Sequence, residues 1–301
     1  MSEGLERIGV VAHYNLLERL EPAGPGDLYR ARDTRLGRTV TLRLLPEGFA
    51  GAPEARAALL EQARGLLALS HPNITTLFDV GEDRGRLYFV FEYLRGVSLR
   101  GEMGGRPMNV RRAVELGVQV ADALADAQGG GFVHGGLSPD SVVVTAKGKI
   151  KVPAFGLAAH AGFEPGDDAR LRDYAAPEEA QGRRPDDRSD IYSAGAILYE
   201  MLTARRPHPR GAAAPSAANP HVPAELDRVV LQAVAPDPDA RFQSAATLSA
   251  ELRAIQAILD VRGGTGDEDE EAVAGDGRGA LSGLALALVL IALAAAVWLL
   301  F

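Results

Sequence analysis

The sequence predicts an α+β protein, with a small β-rich amino-terminal part and a larger helical carboxy-terminal part, plus one C-terminal transmembrane helix. Three observations predict this fold class. Residues 14–45 alternate between short apolar runs and Gly- or Pro-containing turns, which is typical of strands. The second half of the chain places apolar residues at helical spacing. Residues 280–301 contain no charged side chain at all.

The composition narrows the function classes. The chain has 301 residues, enough for one or two domains, and its 24% charged and 47% hydrophobic residues are ordinary for a globular protein. A net charge of −8 argues against nucleic acid as a partner. The chain has no Cys, which excludes disulfides and thiolate metal sites, and its histidines show no metal-ligand spacing, so no metal site is predicted.

Lysine is confined to one place. The only lysines are Lys147, Lys149 and Lys151, close together in one predicted hairpin. Every other basic residue is Arg, so no lysine is available for a phosphate site elsewhere in the chain.

The amino-terminal part of the chain is predicted to contain several strands and one helix. The helix is assigned to residues 52–69 by its Ala, Leu, Glu and Arg content. The clearest strands are residues 14–20, 38–45, 77–80 and 86–93.

The carboxy-terminal part is predicted to be mostly helical. An amphipathic helix over residues 110–128 is stopped by three consecutive glycines, and the last helix covers residues 242–259. The predicted domains are an N-terminal extension, a folded domain, an acidic Gly-rich linker and a transmembrane helix, at residues 1–13, 14–259, 260–279 and 280–301.

Several short motifs follow one another along the folded domain. They are Ser70-His71-Pro72-Asn73-Ile74, His134-Gly135-Gly136-Leu137-Ser138-Pro139-Asp140-Ser141, Ala154-Phe155-Gly156, Ala176-Pro177-Glu178 and the run from Asp187 to Gly195. In this order they resemble the eukaryotic-type protein kinases, and most of all the bacterial Ser/Thr kinases. The resemblance covers about residues 14–259 and implies a whole bilobal domain. Its small amino-terminal lobe would have a five-stranded sheet with one helix, and its larger carboxy-terminal lobe would be helical.

The resemblance implies that the positions holding the fold are kept. Asp190 is expected to accept hydrogen bonds from the backbone of the loop at His134, and His134 to have a structural role. Arg241 is expected to form a buried pair with Glu178. A stacked spine joining the lobes is implied for Leu66, Leu77, His134, Phe155 and Asp190.

The resemblance also implies that the chemical positions have changed. Gly136 stands where the family has its catalytic Asp, Ser138 where it has Lys, Ser141 where it has a metal-binding Asn, and Ala154 where it has the Mg²⁺-binding Asp. In the amino-terminal lobe, Arg43 and Gln62 replace the Lys–Glu ion pair, which becomes at best an Arg43–Gln62 contact. No catalytic residue, no bound Mg²⁺ and no required cofactor are therefore expected.

A nucleotide pocket is expected to be weak if it exists. In the segment where the family has its Gly-rich loop only Gly26 matches, while Pro22 and Pro25 lack amide donors and Glu21 carries a negative charge towards phosphate. The residues that would line such a pocket are Ala23, Gly26, Leu28, Thr41, Arg43, Phe91 and Val143. Tyr174 is the plausible phosphoacceptor near the short segment 160–173.

The carboxy-terminal tail predicts a membrane anchor. Residues 260–279 are dominated by Gly, Asp and Glu and predict a disordered linker. Residues 280–301 would form a helix about 33 Å long, enough to cross a bilayer core. The alternative is a buried terminal helix. Small residues at Gly283 and Ala287 leave a homodimer open.

The function predicted from the sequence is that of a membrane-anchored pseudokinase. Since residues 1–11 do not resemble a signal peptide, the folded domain is placed in the cytoplasm. It would be a binding or scaffolding module with protein partners in a signalling or envelope complex, and not an enzyme. Two alternatives stay open: a nucleotide-binding switch without turnover, and a residual Ser/Thr kinase or related transferase that uses displaced residues.

Overall fold

The computed structural model describes residues 8–20, 26–48, 53–153 and 172–262. The chain divides into two compact units, Met1–Arg253 and Ala254–Phe301. The first unit holds both lobes, and of the second unit only residues 254–262 are described.

The amino-terminal lobe is built on an antiparallel sheet whose strand order is β1-β2-β3-β4-β6-β5. Its strands are β1 (Gly9–Val11), β2 (Tyr14–Leu20), β3 (Asp27–Asp33), β4 (Thr39–Leu44), β5 (Leu77–Asp83) and β6 (Arg86–Glu92).

The sheet has six strands, so the prediction of five was wrong. The additional strand, β1, lies within the residues assigned to an N-terminal extension and pairs with β2 through a tight turn at Ala12 and His13. Val11 is buried in the sheet core, which is what holds the strand in place. A run of three residues is too short to show a period of two, so the pattern could not reveal it.

The two faces of this sheet have different environments. One face carries an apolar core that includes Val40, Leu42, Leu44 and Val90. Because side chains alternate along a strand, Thr41 and Arg43 of β4 lie on the opposite face. Register places Leu28 and Phe91 beside them, since Leu28 is opposite Arg43 and Phe91 is opposite Thr41.

The helix of the amino-terminal lobe, α1, covers Pro53–Leu66 and confirms the predicted helix with slightly shorter ends. Its buried side chains are Leu59, Ala63 and Leu66. Their spacing of four and three residues forms one apolar stripe along the helix, as expected for a helix that covers a sheet.

Helices dominate the other lobe, as predicted. They are α2 (Leu99–Met103), α3 (Val110–Gly129), α4 (Asp187–Thr203), α5 (Ala224–Ala233) and α6 (residues 245–262). Asn109 caps α3 by accepting a hydrogen bond from the Arg112 amide. The side chain of Asp186 caps α4, in a reciprocal arrangement with Ser189.

A three-stranded sheet lies between the helices. It consists of β7 (Gly96–Ser98), β8 (Val143–Thr145) and β9 (Ile150–Lys151), in that order. Lys147 and Lys149 lie in the turn between β8 and β9, and Lys151 on β9, which confirms the predicted hairpin.

Backbone hydrogen bonds join the two lobes at the segment that follows α1. The amide of Thr75 donates to Val152 O at 2.9 Å, and the amide of Val152 donates to Asn73 O at 2.8 Å. The side-chain amide of Asn73 also donates to Ile150 O and to Gln119 Oε1. The segment is therefore fixed to β9 and α3 by main chain and side chain together.

The carboxy-terminal end of the described chain is helical. Helix α6 runs to residue 262, beyond its predicted end at Leu259. Within residues 8–20, 26–48, 53–153 and 172–262, no helix is long and apolar enough to cross a membrane. The predicted span at 280–301 and nearly all of the predicted linker lie outside the described residues.

Candidate functional site

The loop 134–141 is held in place by one buried carboxylate. Asp190, in the first turn of α4, accepts hydrogen bonds from the backbone amide of His134 at 2.6 Å and from that of Gly135 at 2.9 Å. Burial raises the pKa of Asp190 to about 7, whereas the two amides act in the opposite direction. The expected contact between Asp190 and the loop is confirmed.

His134 has the structural role that the sequence predicts. Its Nε2 lies 2.9 Å from the backbone oxygen of Pro153, which can only accept, so Nε2 carries the proton. Burial lowers the pKa of His134 to about 4, and the ring is therefore neutral at pH 7. The imidazole thus connects the loop to the residue that follows β9.

Two glycines occupy the centre of the loop. Gly135 has a φ of 64°, a conformation that glycine adopts without steric cost. Gly136 follows it at a partly exposed position. Since glycine has no side chain, residue 136 provides no carboxylate or other side-chain group that could orient a substrate hydroxyl or take its proton.

The two serines of the loop bond to each other. The hydroxyl of Ser141 donates to Ser138 O at 2.9 Å and accepts from the amide of Ser138 at 3.2 Å. This closes a tight turn, because the amides of Ser141 and Val142 also donate to Ser138 O. Ser138 itself is fully buried, and its Oγ has no hydrogen-bond partner among the described residues.

In the amino-terminal lobe, Arg43 of β4 is only 8% exposed. Its burial lowers the pKa of the guanidinium to about 10. It therefore remains a cation at neutral pH. Gln62 Oε1 is buried and has no hydrogen-bond partner within the described residues, so it does not accept a hydrogen bond from Arg43.

Gly26 is required by packing. Its φ is 84°, and a Cβ at this position would lie 2.4 Å from the backbone oxygen of Leu44 on β4. The backbone at Gly26, just before β3, therefore lies too close to β4 for residue 26 to carry a side chain. Packing alone therefore explains why residue 26 is glycine, and no bound phosphate is needed to explain it.

Four of the predicted pocket residues lie together in the amino-terminal lobe. Leu28, Thr41, Arg43 and Phe91 share one face of the six-stranded sheet, as the register shows. Val143 is on β8 in the other lobe. Two further predicted site residues, Ala23 and Ala154, lie outside the described residues, as does Phe155 of the expected spine.

Tyr174 is unsuited to be a phosphoacceptor, which corrects the sequence prediction. It is 1% exposed, and its hydroxyl donates to Glu200 of α4 and accepts from Arg100 of α2. Burial and the adjacent carboxylate raise the pKa of the phenol. A kinase acting on this residue would first have to expose it.

Sequence reasoning missed the cluster around Tyr174. Arg100 Nη1 also donates to Glu200 Oε1 at 2.6 Å, and its Nε and Nη2 lie 3.4 Å from Asp140 Oδ2 in the loop. Nothing local marks Arg100 as special, because its partners lie 40 to 100 residues away in sequence.

No side-chain group in the described parts of the chain could hold a metal by three or more His, Asp or Glu residues. The described site therefore combines a well-fixed loop with a buried cation on the opposite lobe. Its loop offers amides and hydroxyls, and one carboxylate, Asp140, that is engaged by Arg100.

Comparison with known proteins gives a consistent result. Residues 23–254 match the protein kinase domain family. A probable serine/threonine-protein kinase of Streptomyces coelicolor is 35% identical over 271 aligned positions, which cover 82% of this chain and 40% of that protein. The serine/threonine-protein kinase PknB of Mycobacterium tuberculosis is 35% identical over 263 positions, with 79% and 42% covered. This chain thus spans about two fifths of the length of these curated relatives.

Solved structures give the same fold. A crystal structure of the PknI kinase domain of Mycobacterium tuberculosis, a double mutant, matches with a TM-score of 0.69 and 25% identity, covering 84% of this chain and all of that one. A single mutant of the same domain matches equally well over 85% of this chain. The bilobal fold is confirmed.

Proposed function

This chain belongs to the protein kinase family, and from that premise we propose that it is a pseudokinase, a binding or scaffolding module in signalling that does not transfer phosphate. The observation that carries the proposal is the loop 134–141. Asp190 fixes its backbone in one arrangement, yet the residue presented at its centre is Gly136. The loop has kept its support and lost its reactive group.

Loss of the catalytic base supports the proposal first. In protein kinases the Asp of this loop accepts the proton of the substrate hydroxyl. General-base catalysis contributes roughly 10²–10⁴-fold to a rate. The Asp140 carboxylate is on the same loop, but it faces Arg100 and so is already engaged.

Loss of the metal ligands supports it further. Phosphoryl transfer depends on metal ions that neutralise the phosphates, an effect of several kcal/mol. At the position of the family's Asn, the Ser141 hydroxyl is bonded both ways to Ser138. At the position of the family's Asp, Ala154 has no side-chain oxygen with which to hold Mg²⁺.

A residual Ser/Thr kinase is the second candidate. Two observations favour it. The curated relatives are serine/threonine-protein kinases by name. In addition, Arg43 supplies a buried cation on the face of the sheet that carries the predicted pocket residues. The same cation favours a third, a switch that binds nucleotide without turnover. Both would depend on Arg43, which gives a common test.

Location and partners are part of the proposal. Residues 280–301 are uncharged and long enough to span a bilayer, and they follow an acidic, Gly-rich stretch. We place the domain in the cytoplasm on this single anchor, where it would bind protein partners of a signalling or envelope complex, alone or as a homodimer.

The experiment uses the purified full-length chain. Transfer of labelled γ-phosphate from ATP to a general acceptor protein is followed with Mg²⁺ or Mn²⁺, and ATP binding is followed by thermal shift with and without metal. The matched pair of variants is Arg43→Ala and Arg32→Ala, because Arg32 is an exposed arginine on the same sheet.

We expect no transfer that depends on Arg43. Transfer that Arg43→Ala abolishes and Arg32→Ala does not would overturn the proposal in favour of a residual kinase. An ATP-dependent thermal shift without transfer, lost only in Arg43→Ala, would favour the nucleotide switch instead.

A further inference from the structure

A single guanidinium joins three segments that are far apart in sequence. Arg100, in the first turn of α2, contacts Glu200 of α4, Asp140 of the loop and Tyr174 of the segment before α4. Tyr174 completes the cluster by donating to Glu200 Oε2. We call Arg100, Asp140, Tyr174 and Glu200 the Arg100 cluster.

Main-chain hydrogen bonds fix the base of the cluster. The amide of Leu99 donates to Val142 O at 2.8 Å, and the amide of Arg100 donates to Pro139 O at 3.0 Å. The start of α2 is therefore docked on the loop whatever the side chain of Arg100 does. On the other side, Ser193 Oγ of α4 donates to Tyr174 O at 2.8 Å.

The Arg100 side chain therefore connects two parts of the cluster: α2 with the loop on one side, and Tyr174 with α4 on the other. The side chain of Glu200 is 11% exposed and that of Asp140 is 22% exposed, whereas that of Arg100 is 38% exposed. The guanidinium thus covers the carboxylate of Glu200 and the phenol of Tyr174 from the solvent side. Its planar fork can donate to several acceptors at once, which an ammonium cannot do in the same geometry.

We propose that Arg100 is an ionic lock. It keeps residues 172–186, the segment before α4, closed against α2 and the loop, and it covers Tyr174. Opening the lock separates Arg100 from Glu200 and exposes the phenol of Tyr174. Two carboxylates are then left without their shared cation, which favours the closed state. The lock is a conformational device of the fold and does not depend on whether the domain transfers phosphate.

Nitration of tyrosine by tetranitromethane, mapped by mass spectrometry on the full-length chain, tests this proposal. Nitration by this reagent requires both solvent access to the phenol and its ionisation. The closed cluster opposes both at Tyr174, so nitration reports opening at one residue. Tyr14 and Tyr192 are 2% and 3% exposed and lie outside the cluster, so they report global unfolding in the same sample.

The variants are Arg100→Ala, Arg100→Lys and a matched control, Arg112→Ala. Arg112 is an arginine with comparable partners, Glu115 Oε2 at 2.8 Å and Gly148 O at 3.0 Å, and no described contact with Tyr174. It therefore removes a similar set of polar contacts from the same lobe without touching the lock.

In Arg100→Ala we expect Tyr174 to be nitrated at least ~10-fold faster than in the wild type, while Tyr14 and Tyr192 stay protected. Arg100→Lys should give an intermediate rate, and millimolar methylguanidinium should slow nitration in Arg100→Ala alone, because the probe can occupy the vacated place between the carboxylates.

Three results would overturn the proposal. The first is protection of Tyr174 in Arg100→Ala equal to that in Arg112→Ala. The second is nitration of all three tyrosines together, which would show a general loss of stability. If Arg100→Ala does not fold, Arg100→Lys decides the matter, and protection equal to that of the wild type would show that the fork is not needed.

Discussion

Arg241 and Glu178 form a fully paired, buried ion pair in which Arg241 Nη1 and Nη2 each donate to one carboxylate oxygen of Glu178 at 2.8 Å. The pair joins the segment before α4 to the segment before α6, 63 residues apart in sequence. The remaining donors of Arg241 are satisfied by backbone oxygens of Ala235, Pro236 and Arg188. The sequence predicted this pair, and the structure confirms it.

Breaking this pair from one side should destabilise the domain strongly. We expect Arg241→Ala to lower the free energy of unfolding by about 3–5 kcal/mol, because it leaves the carboxylate of Glu178 buried without its cation. Urea unfolding followed by circular dichroism measures the change. The control is Arg228→Ala, because Arg228 and its partner Glu251 are 60% and 37% exposed and their pair should contribute no more than about 1 kcal/mol. Equal effects in the two variants would contradict the prediction.

The neutral state of His134 predicts a pH dependence. Burial lowers its pKa to about 4 from an ordinary value of 6.5. Between these values the unfolded chain binds a proton that the folded chain does not, so the contribution of His134 to stability falls as the pH falls from 6.5 to 4. The stability advantage of the wild type over His134→Gln should therefore shrink across this window.

Chemical unfolding at several pH values between 4 and 8 measures this difference. The pKa of Asp190, raised to about 7 by burial, acts in the opposite direction in both proteins. Subtracting the two proteins removes that contribution, because Asp190 is present in both. A difference that stays constant with pH would mean that His134 titrates normally in the folded domain.

The backbone at Gly135 predicts a local cost for any side chain. With a φ of 64°, Gly135→Ala should lower stability by about 1 kcal/mol or more, and the amide that donates to Asp190 would be displaced with it. Gly129→Ala is the control, because a Cβ there meets nothing within 4 Å and φ is not positive. Thermal unfolding of the two variants should shift in opposite directions or leave Gly129→Ala unchanged.

Restoring the missing groups tests the chemistry from the other side. A typical protein kinase turns over at about 1–100 s⁻¹. We expect Gly136→Asp alone to stay at background in a γ-phosphate transfer assay, because the base is useless without bound metal. The triple variant Gly136→Asp, Ser141→Asn and Ala154→Asp should give measurable transfer, because Asp190 still fixes the loop. Absence of transfer in a folded triple variant would show that more than these groups has been lost.

The proposed membrane anchor gives a fractionation prediction. The full-length chain should be recovered in the membrane pellet, and a chain that ends at Gly279 should be recovered in the supernatant, because only the former carries the uncharged stretch 280–301. Immunoblotting of the two fractions measures this. If the shortened chain also sediments with membranes, another part of the protein binds them.

The amino-acid sequence by itself determined the family, the order of the elements and the long-range pairs that accompany its motifs. Asp190 and Arg241 could be placed because each belongs to a short motif that resembles one of the kinase family, and the family's fold implies its partner. Helices α1 and α3 could be placed because apolar residues recur at helical spacing over several turns. The same resemblance showed that Gly136 and Ser141 stand where the family has Asp and Asn.

The tertiary structure decided which contacts replace those that were lost. A three-residue strand, β1, has no period to detect. The residues next to Ser141 do not determine whether its hydroxyl faces a ligand or Ser138. Arg100 meets Tyr174 and Glu200 across 74 and 100 residues, respectively. Such pairings depend on how α2, the loop and α4 pack, and side-chain hydrogen bonds of this kind form only once the backbone of all three segments is in place.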